Sequence, residues 1–301
     1  MIAAALLLAV VQAAGSAAQA DARAGQADPI AALIEDTQGA AQDAGPGEAI
    51  RCSGAHRQGA ALVCRTAPGS QVTLGDITVS ADADGWVVVG HDRDAEPQTV
   101  LRVVGGDGAV FEQTIPVEQR EYDIQRIEGT PRRFNQLSQE DLARSRREGR
   151  IKAAAYQSRD AQRGFSTGFV MPLEGRITGV YGSQRYYNGD PGRPHYGIDI
   201  AAPSGTDVVS PADGVVTLAN DDMFWEGGLI FIDHGQGFTS AFLHMHTVAV
   251  EVGERVSQGD VIGTVGSGGR STGAHLDWRI KWHDRYINPA ETLQLDPASL
   301  R

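Results

Sequence analysis

The spacing of apolar residues changes character twice along the chain. Between about 50 and 118, short runs such as ALVCRT, QVTLG, ITVSA, GWVVVG, TVLRVVG and VFEQTIPV alternate or cluster β-branched residues, with PGS, DADG and GGDG between them as turns. Side chains that point alternately to the two faces of a strand need this period of two, so residues 49–120 are expected to form a small β-sandwich. The next stretch, LSQEDLARSRREGRIKAAAYQSRDAQR, loses that period. Ser138 stands before it as an N-cap with Asp141 three residues on, and Leu142, Ile151 and Ala155 are apolar among charges. One or two exposed helices are expected within residues 121–168, their charges forming a solvated face on a connector. After FVMPLEG the short strands return: RITGVYG, HYGIDIAA, TDVVSPADGVVTLA, GLIFIDHG, FTSAFLHM, VAVEVGERVSQGDVIGTVG and HLDWRIKW, with hardly any helical periodicity between 170 and 290. This predicts a second, β-rich domain over residues 169–295 with a short tail, 296–301. The expected fold is mostly β.

Composition refines the picture. At 301 residues and 41% hydrophobic content, the chain has material for two domains with real cores. Residues 1–20 contain IAAALLLAVV and end in AQA, the form of a secretion signal and its cleavage site, although only the terminal amine supplies positive charge there. Residues 21–48, rich in Ala, Gly, Asp and Gln, read as a flexible tether. No other stretch reaches the roughly 20 apolar residues of a membrane span. A formal charge of -12, with Lys152 and Lys281 the only lysines, argues against nucleic-acid binding, which needs clustered cations. The two cysteines flank SGAHRQGAALV, where Gly54 and Gly59 suggest a hairpin turn centred near Arg57 and Gln58. Cys52 and Cys64 would then stand opposite each other, and in an exported protein a cross-strand disulfide is expected.

Six of the eight histidines fall between 195 and 283. Three groupings have useful spacing: His195 with Asp199, His244 with His246, and His275 with Asp277. Imidazole nitrogen and carboxylate oxygen suit zinc, and a catalytic site needs only three protein ligands. Residues i and i+2 of a strand share a face at about 6.6 Å, so His275 with Asp277, and His244 with His246, could each look into one cavity. His195 and Asp199 would lie about 13 Å apart if extended, and Gly197 between them is the expected bend. His234, in IDHGQG, reads as a hydrogen-bonding turn residue, His56, His91 and His283 as exposed, and Trp278 and Trp282 as core. The polar, Gly-rich loops SQRYYNGDPGRP and GSGGRSTG suit the borders of a groove for an extended peptide, where Arg185, Arg193 and Arg270 could meet carboxylates.

In order, HYGIDIAAPSGTDV, GLIFIDHGQGFTSAFLH and VEVGERVSQGDVIGTVGSGGRSTGAHL resemble successive blocks of the lysostaphin-type zinc metallopeptidases, metallopeptidase family twenty-three, over about residues 175–290. Residues 50–118 resemble, more loosely, the Ig-like module that precedes this peptidase in some Gram-negative members. The resemblance implies a zinc-dependent endopeptidase cutting peptide cross-links of bacterial peptidoglycan, acting on stem peptides in a Gram-negative periplasm, with partners among cell-wall or division proteins. It implies His195 and Asp199 as the first two zinc ligands, and His244 and His275 as the catalytic pair that orients water and stabilises the oxyanion. In the family's usual final block a second histidine after His-Leu is the third ligand; here that position is Asp277.

The substitution matters through charge. Zinc held by two imidazoles and one carboxylate keeps a net positive charge, whereas one imidazole and two carboxylates neutralise it, weakening its effect on water and carbonyl. Three outcomes stay open: Asp277 binds zinc, His246 substitutes from the neighbouring strand, although its preferred reading is a strand-end surface histidine, or the domain is a catalytically impaired scaffold that binds cell wall or activates another hydrolase. A carrier-domain reading of VEVGERVSQGDVIGTVG would need a lysine at a hairpin tip, and neither Lys152 nor Lys281 stands at one.

Overall fold

The computed structural model describes residues 49–129 and 137–301. The secretion signal expected over 1–20 and the tether over 21–48 lie outside the described residues. Two antiparallel sheets make up the N-terminal module. One joins β1 (Ile50–Ser53), β2 (Ala61–Thr66) and β5 (Trp86–Gly90) in the order β1-β2-β5. The other joins β3 (Gln71–Leu74), β4 (Ile77–Ser80), β6 (Gln98–Val104) and β7 (Val110–Pro116) in the order β4-β3-β6-β7. Every residue of β5, WVVVG, is buried, which is why that strand reads as a continuous apolar run rather than an alternation. Cys52 lies directly opposite Cys64 on β1 and β2, and the two form the expected disulfide.

The expected hairpin turn joins β1 to β2, and Arg57 at its centre is buried at 2% exposure and pairs with Glu118 and Glu291. One sequence expectation needs correction, the exposure of three histidines. His91 is not exposed but 1% accessible, and His56 is half-buried with its Nδ1 3.0 Å from His91 Nε2. His283 is also half-buried, with Arg159 3.2 Å away. Each of these side chains is covered by segments distant in sequence, which a local pattern does not reveal.

The stretch expected to be helical begins with a strand. β8 (Ile124–Ile127) pairs in parallel with β10 (Gln184–Tyr187), which pairs with β11 (Asp190–Pro191). The segment that follows the N-terminal module therefore pairs with the polar loop SQRYYNGDPGRP. The helix α1 (Gln139–Ala155) follows, capped by Ser138 in a capping box with Asp141, as its sequence predicts. Its charges are not merely solvated. Glu148 is buried, accepts from Arg144 and from the Phe224 N–H, while Lys152 pairs with Glu226 and Ser145 accepts from the Trp225 indole. The charged face of α1 thus satisfies polar groups of the 222–226 turn.

Ten strands form the large sheet, with main order β17 (Arg255–Val256), β14 (Gly214–Met223), β15 (Gly227–Asp233), β16 (Phe238–Val248), β19 (His275–Trp282), β12 (Gly197–Ala201) and β9 (Arg176–Gly179). β13 (Asp207–Val209), β18 (Val261–Val265) and β20 (Arg285–Ile287) attach off that path. Alternation along β19 separates two faces. Leu276, Trp278, Ile280 and Trp282 are fully buried in the core, while His275, Asp277, Arg279 and Lys281 share the opposite face. Towards β14 that opposite face is apolar: Leu218, Met223, Leu229, Phe231, Ala241 and Leu243 pack with Ala155 and Tyr156 at the end of α1. On β12 and β19 it is polar.

The two modules share one continuous core. Arg285 donates to the carbonyls of Gly90 and Leu74, and the Gln236 side chain bonds both Val88 N–H and Trp86 carbonyl, completing the edge of β5 as another backbone would. Asn288 N–H donates to Gly59 just before α2 (Pro289–Thr292). The tail closes the contact: Leu300 is buried and its carbonyl accepts from Arg51.

Candidate metal centre

Antiparallel pairing of β12 with β19 places Asp199 directly opposite Asp277 and Ala201 opposite His275. His195 stands just before β12. Its Nε2 lies 3.2 Å from Asp199 Oδ1, and one donor atom each from His195, Asp199 and Asp277 lie within 4.8 Å of one another. Donors around a tetrahedral zinc with bonds near 2.0–2.1 Å sit roughly 3.3–3.4 Å apart, so the 3.2 Å spacing of His195 and Asp199 is that of donors sharing a cation, and Asp277 offers a third donor nearby. The decisive observation concerns partners. His195 Nε2 and Asp199 Oδ1 are both buried, and neither has a hydrogen-bond partner among the described residues. A buried polar atom left unsatisfied costs about 1–3 kcal/mol, and folded proteins rarely keep two side by side without a shared ligand. The residues present fit a divalent cation.

Asp277, 3% exposed, is held by Arg279 on the same strand face. Arg279 Nε donates to both carboxylate oxygens at 3.0 Å, and Nη2 donates to Oδ2 at 2.5 Å. Burial alone would raise the Asp277 carboxyl, but the Arg279 charge and hydrogen bonds pull it below the usual carboxylate range. Gly197, expected to bend the chain, serves a different purpose. Its φ lies outside the left-handed region, yet a Cβ there would meet Asp277 Oδ1 at 2.5 Å and Arg279 Cγ at 2.7 Å. It is a gap for the ion pair of the neighbouring strand. Gly179 on β9 does the same for Asp199, whose Oδ2 would meet an added Cβ at 2.2 Å.

His244 reaches the site by a local irregularity. Gly228 pairs with Met245 and Leu229 with Leu243, so His244 is an extra residue on β16, with φ of 65°. Regular alternation would send it to the core face with Phe242; the bulge turns it toward His275, with ring centroids 4.8 Å apart. A side chain in the left-handed region costs on the order of 1–3 kcal/mol, and such strain collects at functional sites. The His244 N–H donates to Glu226 and its Nδ1 to Gly268, both at 2.8 Å. His275 Nδ1 donates to Gly273 at 2.9 Å. Carbonyls only accept, so Nδ1 carries the proton in both rings and Nε2 is left free toward the site. His275 Nε2 lies 3.8 Å from Asp199 Oδ1, and burial pushes the His244 imidazole below its ordinary value.

His246 does not join them. It is exposed and is itself an extra residue, against β18, so the two bulges break the period that would have aligned it with His244. Arg185, Arg193 and Arg270 are exposed as expected, Arg193 over Tyr196 and Tyr286, and Arg270 over Trp225. His234 is buried between the Asp213 carbonyl and the Ser240 hydroxyl, a turn residue as read. Sequence reasoning missed Arg279. The signal was present, since Asp and Arg two apart on one strand share a face.

Residues 193–289 match the family model Peptidase family M23. Over 96 residues the chain is 38% identical to an uncharacterized metalloprotease of Buchnera aphidicola subsp. Baizongia pistaciae, covering 32% of this chain and 25% of that protein. Over 106 residues it is 37% identical to the peptidoglycan DD-endopeptidase ShyC of Vibrio cholerae, covering 35% of this chain and 24% of that one. The chain spans about a quarter of the length of these curated relatives. A solved structure from Pseudomonas aeruginosa assigned to peptidase M23 superposes with a TM-score of 0.61 at 25% identity, covering 87% of this chain and 98% of that one.

Proposed function

We propose that this chain, whose residues 193–289 carry the M23 match, is a zinc-dependent endopeptidase that hydrolyses peptide cross-links of bacterial peptidoglycan. The observation that carries the reading is the pair of buried, unpartnered donors, His195 Nε2 and Asp199 Oδ1, grouped with Asp277 beside two anchored imidazoles. His195, Asp199 and Asp277 would hold the metal. A zinc ion there supplies Lewis-acid chemistry toward a peptide carbonyl and a water molecule.

The chain's own residues do the rest. With Nδ1 of His244 and His275 committed to backbone carbonyls, Nε2 of each is the atom that exchanges protons. One ring accepts a proton from the attacking water, and the imidazolium so formed hydrogen-bonds the oxyanion and then passes that same proton to the leaving amine. Because the Gly268 and Gly273 carbonyls and the bulge orient both rings beforehand, little ordering entropy is lost when substrate binds. The stacked Tyr196 and Tyr286, 4.2 Å apart, offer an aromatic surface for an extended peptide.

The relative described as a peptidoglycan DD-endopeptidase supports the cross-link as substrate, and the form of residues 1–20 supports export to a Gram-negative periplasm. We read the N-terminal module as Ig-like on its two antiparallel sheets of three and four strands, and its surface as the place for cell-wall or division partners. Digestion of purified sacculi tests the activity. The zinc-supplied protein should release soluble peptides, and Asp199→Ala and His244→Ala should not. Absence of soluble product from the parent protein would overturn the enzyme reading in favour of a wall-binding scaffold.

A further inference from the structure

We infer that Arg279 is a positioning residue for the metal ligand Asp277, and that the two act as one unit in place of a neutral imidazole. The inference rests on the zinc reading above and extends it to a residue outside the donor set. Three observations support it. Arg279 makes three contacts to one buried carboxylate, two of them to Oδ2, so Oδ2 is gripped and Oδ1 keeps more free lone-pair capacity. Register pairs Arg279 with Gly197, whose missing Cβ leaves the space that Asp277 Oδ1 and Arg279 Cγ fill. Charge supplies the third. His195, Asp199, Asp277 and Arg279 together carry one formal negative charge, the same as two imidazoles and a single carboxylate. A second carboxylate would otherwise leave a bound cation fully neutralised, and the adjacent guanidinium restores the missing positive charge at fixed distance.

The test is zinc affinity of the full chain, read by competition with a chromophoric chelator. Arg279→Gln should weaken binding about 10–100-fold, the usual loss when the partner of a ligand is removed, because the freed carboxylate loses its aim by more than the cation gains from the relieved repulsion. Arg279→Lys, which keeps charge without the fork, should lose less. In an Asp277→His background the same Arg279→Gln change should strengthen binding, because a guanidinium without its carboxylate only repels the cation. An arginine that merely holds the strand would act in the same direction in both backgrounds. Equal sign in both, or effects below about twofold in both, overturns the inference while leaving zinc binding intact. A parent chain that takes up no zinc overturns both readings. Arg279→Met, which preserves apolar bulk, carries the same comparison where the Gln variant is unstable.

Discussion

Two clusters of imidazole lie in this chain, one in the N-terminal module and one on the large sheet, and they have opposite characters. His56 and His91 are within hydrogen-bonding distance, 3.0 Å, and burial pushes them down to about 4 and about 3, so they stay neutral and share one hydrogen bond, with His56 Nε2 left without a partner among the described residues. The His244 and His275 rings lie closer still, 4.8 Å between centroids against 5.3 Å, but the Nε2 atoms of His195 and His275 face the Asp199 carboxylate, and His244 and His275 are held from behind by carbonyls. Among the described residues only His195, Asp199 and Asp277 form a group of three possible ligands within reach of one cation. Proximity of histidines is therefore not what marks a metal site. Convergent lone pairs, with carboxylates to balance a cation, mark it.

The sharpest way to break the contrast is to mutate one member of each cluster. His195→Ala or Asp199→Ala should lower zinc affinity and sacculus digestion by at least about 10²-fold, exceeding the loss for an outer partner, whereas His91→Asn should leave metal content unchanged. Zinc loss from the His91 variant would erase the distinction. Next in size is the disulfide, which closes the loop that carries His56. Replacing Cys52 and Cys64 by Ala should cost about 2–4 kcal/mol of stability by denaturant titration, with zinc stoichiometry held.

At the site, Gly197→Ala should cost about 1–3 kcal/mol as the new Cβ meets the Asp277 carboxylate. Here, unlike the disulfide variant, metal affinity should fall as well; an unchanged affinity would mean Asp277 is no ligand. The last effect is pH dependence in the N-terminal pair, gradual across its window. Both folded values lie below the unfolded value near 6.5, so the unfolded chain binds more protons from about pH 6.5 down to about 4 at His56 and about 3 at His91. Stability is full above that window and declines as pH falls through it, by at most about 1.4 kcal/mol per pH unit for each ring. Arg285 beside His91 acts in the same direction. Urea midpoints of the metal-free protein should fall less steeply for His91→Asn than for the parent, and equal slopes would contradict a neutral pair.

The strands of both modules, the capped start of α1 and the cross-strand disulfide were legible because each depends on a local signal: period two, an N-cap spacing, or symmetric distance from a turn. The two core tryptophans of β19 were legible for the same reason. The strand β8 was not, since IQRI is exposed throughout and gains its hydrogen bonds only from β10 far along the chain. His246 is exposed, as its strand-end surface reading expects, and what the sequence did not show is why: two bulges in β16 interrupt the alternation that would have aligned it with His244.

By itself, the sequence determined which side chains offer donor atoms and where strands would form, because donor chemistry and hydrophobic period are properties of neighbours in the chain. Tertiary structure decided the rest. The bulge that aims His244, the gap at Gly197 that admits Asp277 with Arg279, and the burial that keeps His56 and His91 neutral all arise where segments remote in sequence press together. Whether a polar atom finds a partner or is left to face a cation depends on that packing, since desolvation and hydrogen bonding are set by what surrounds the atom.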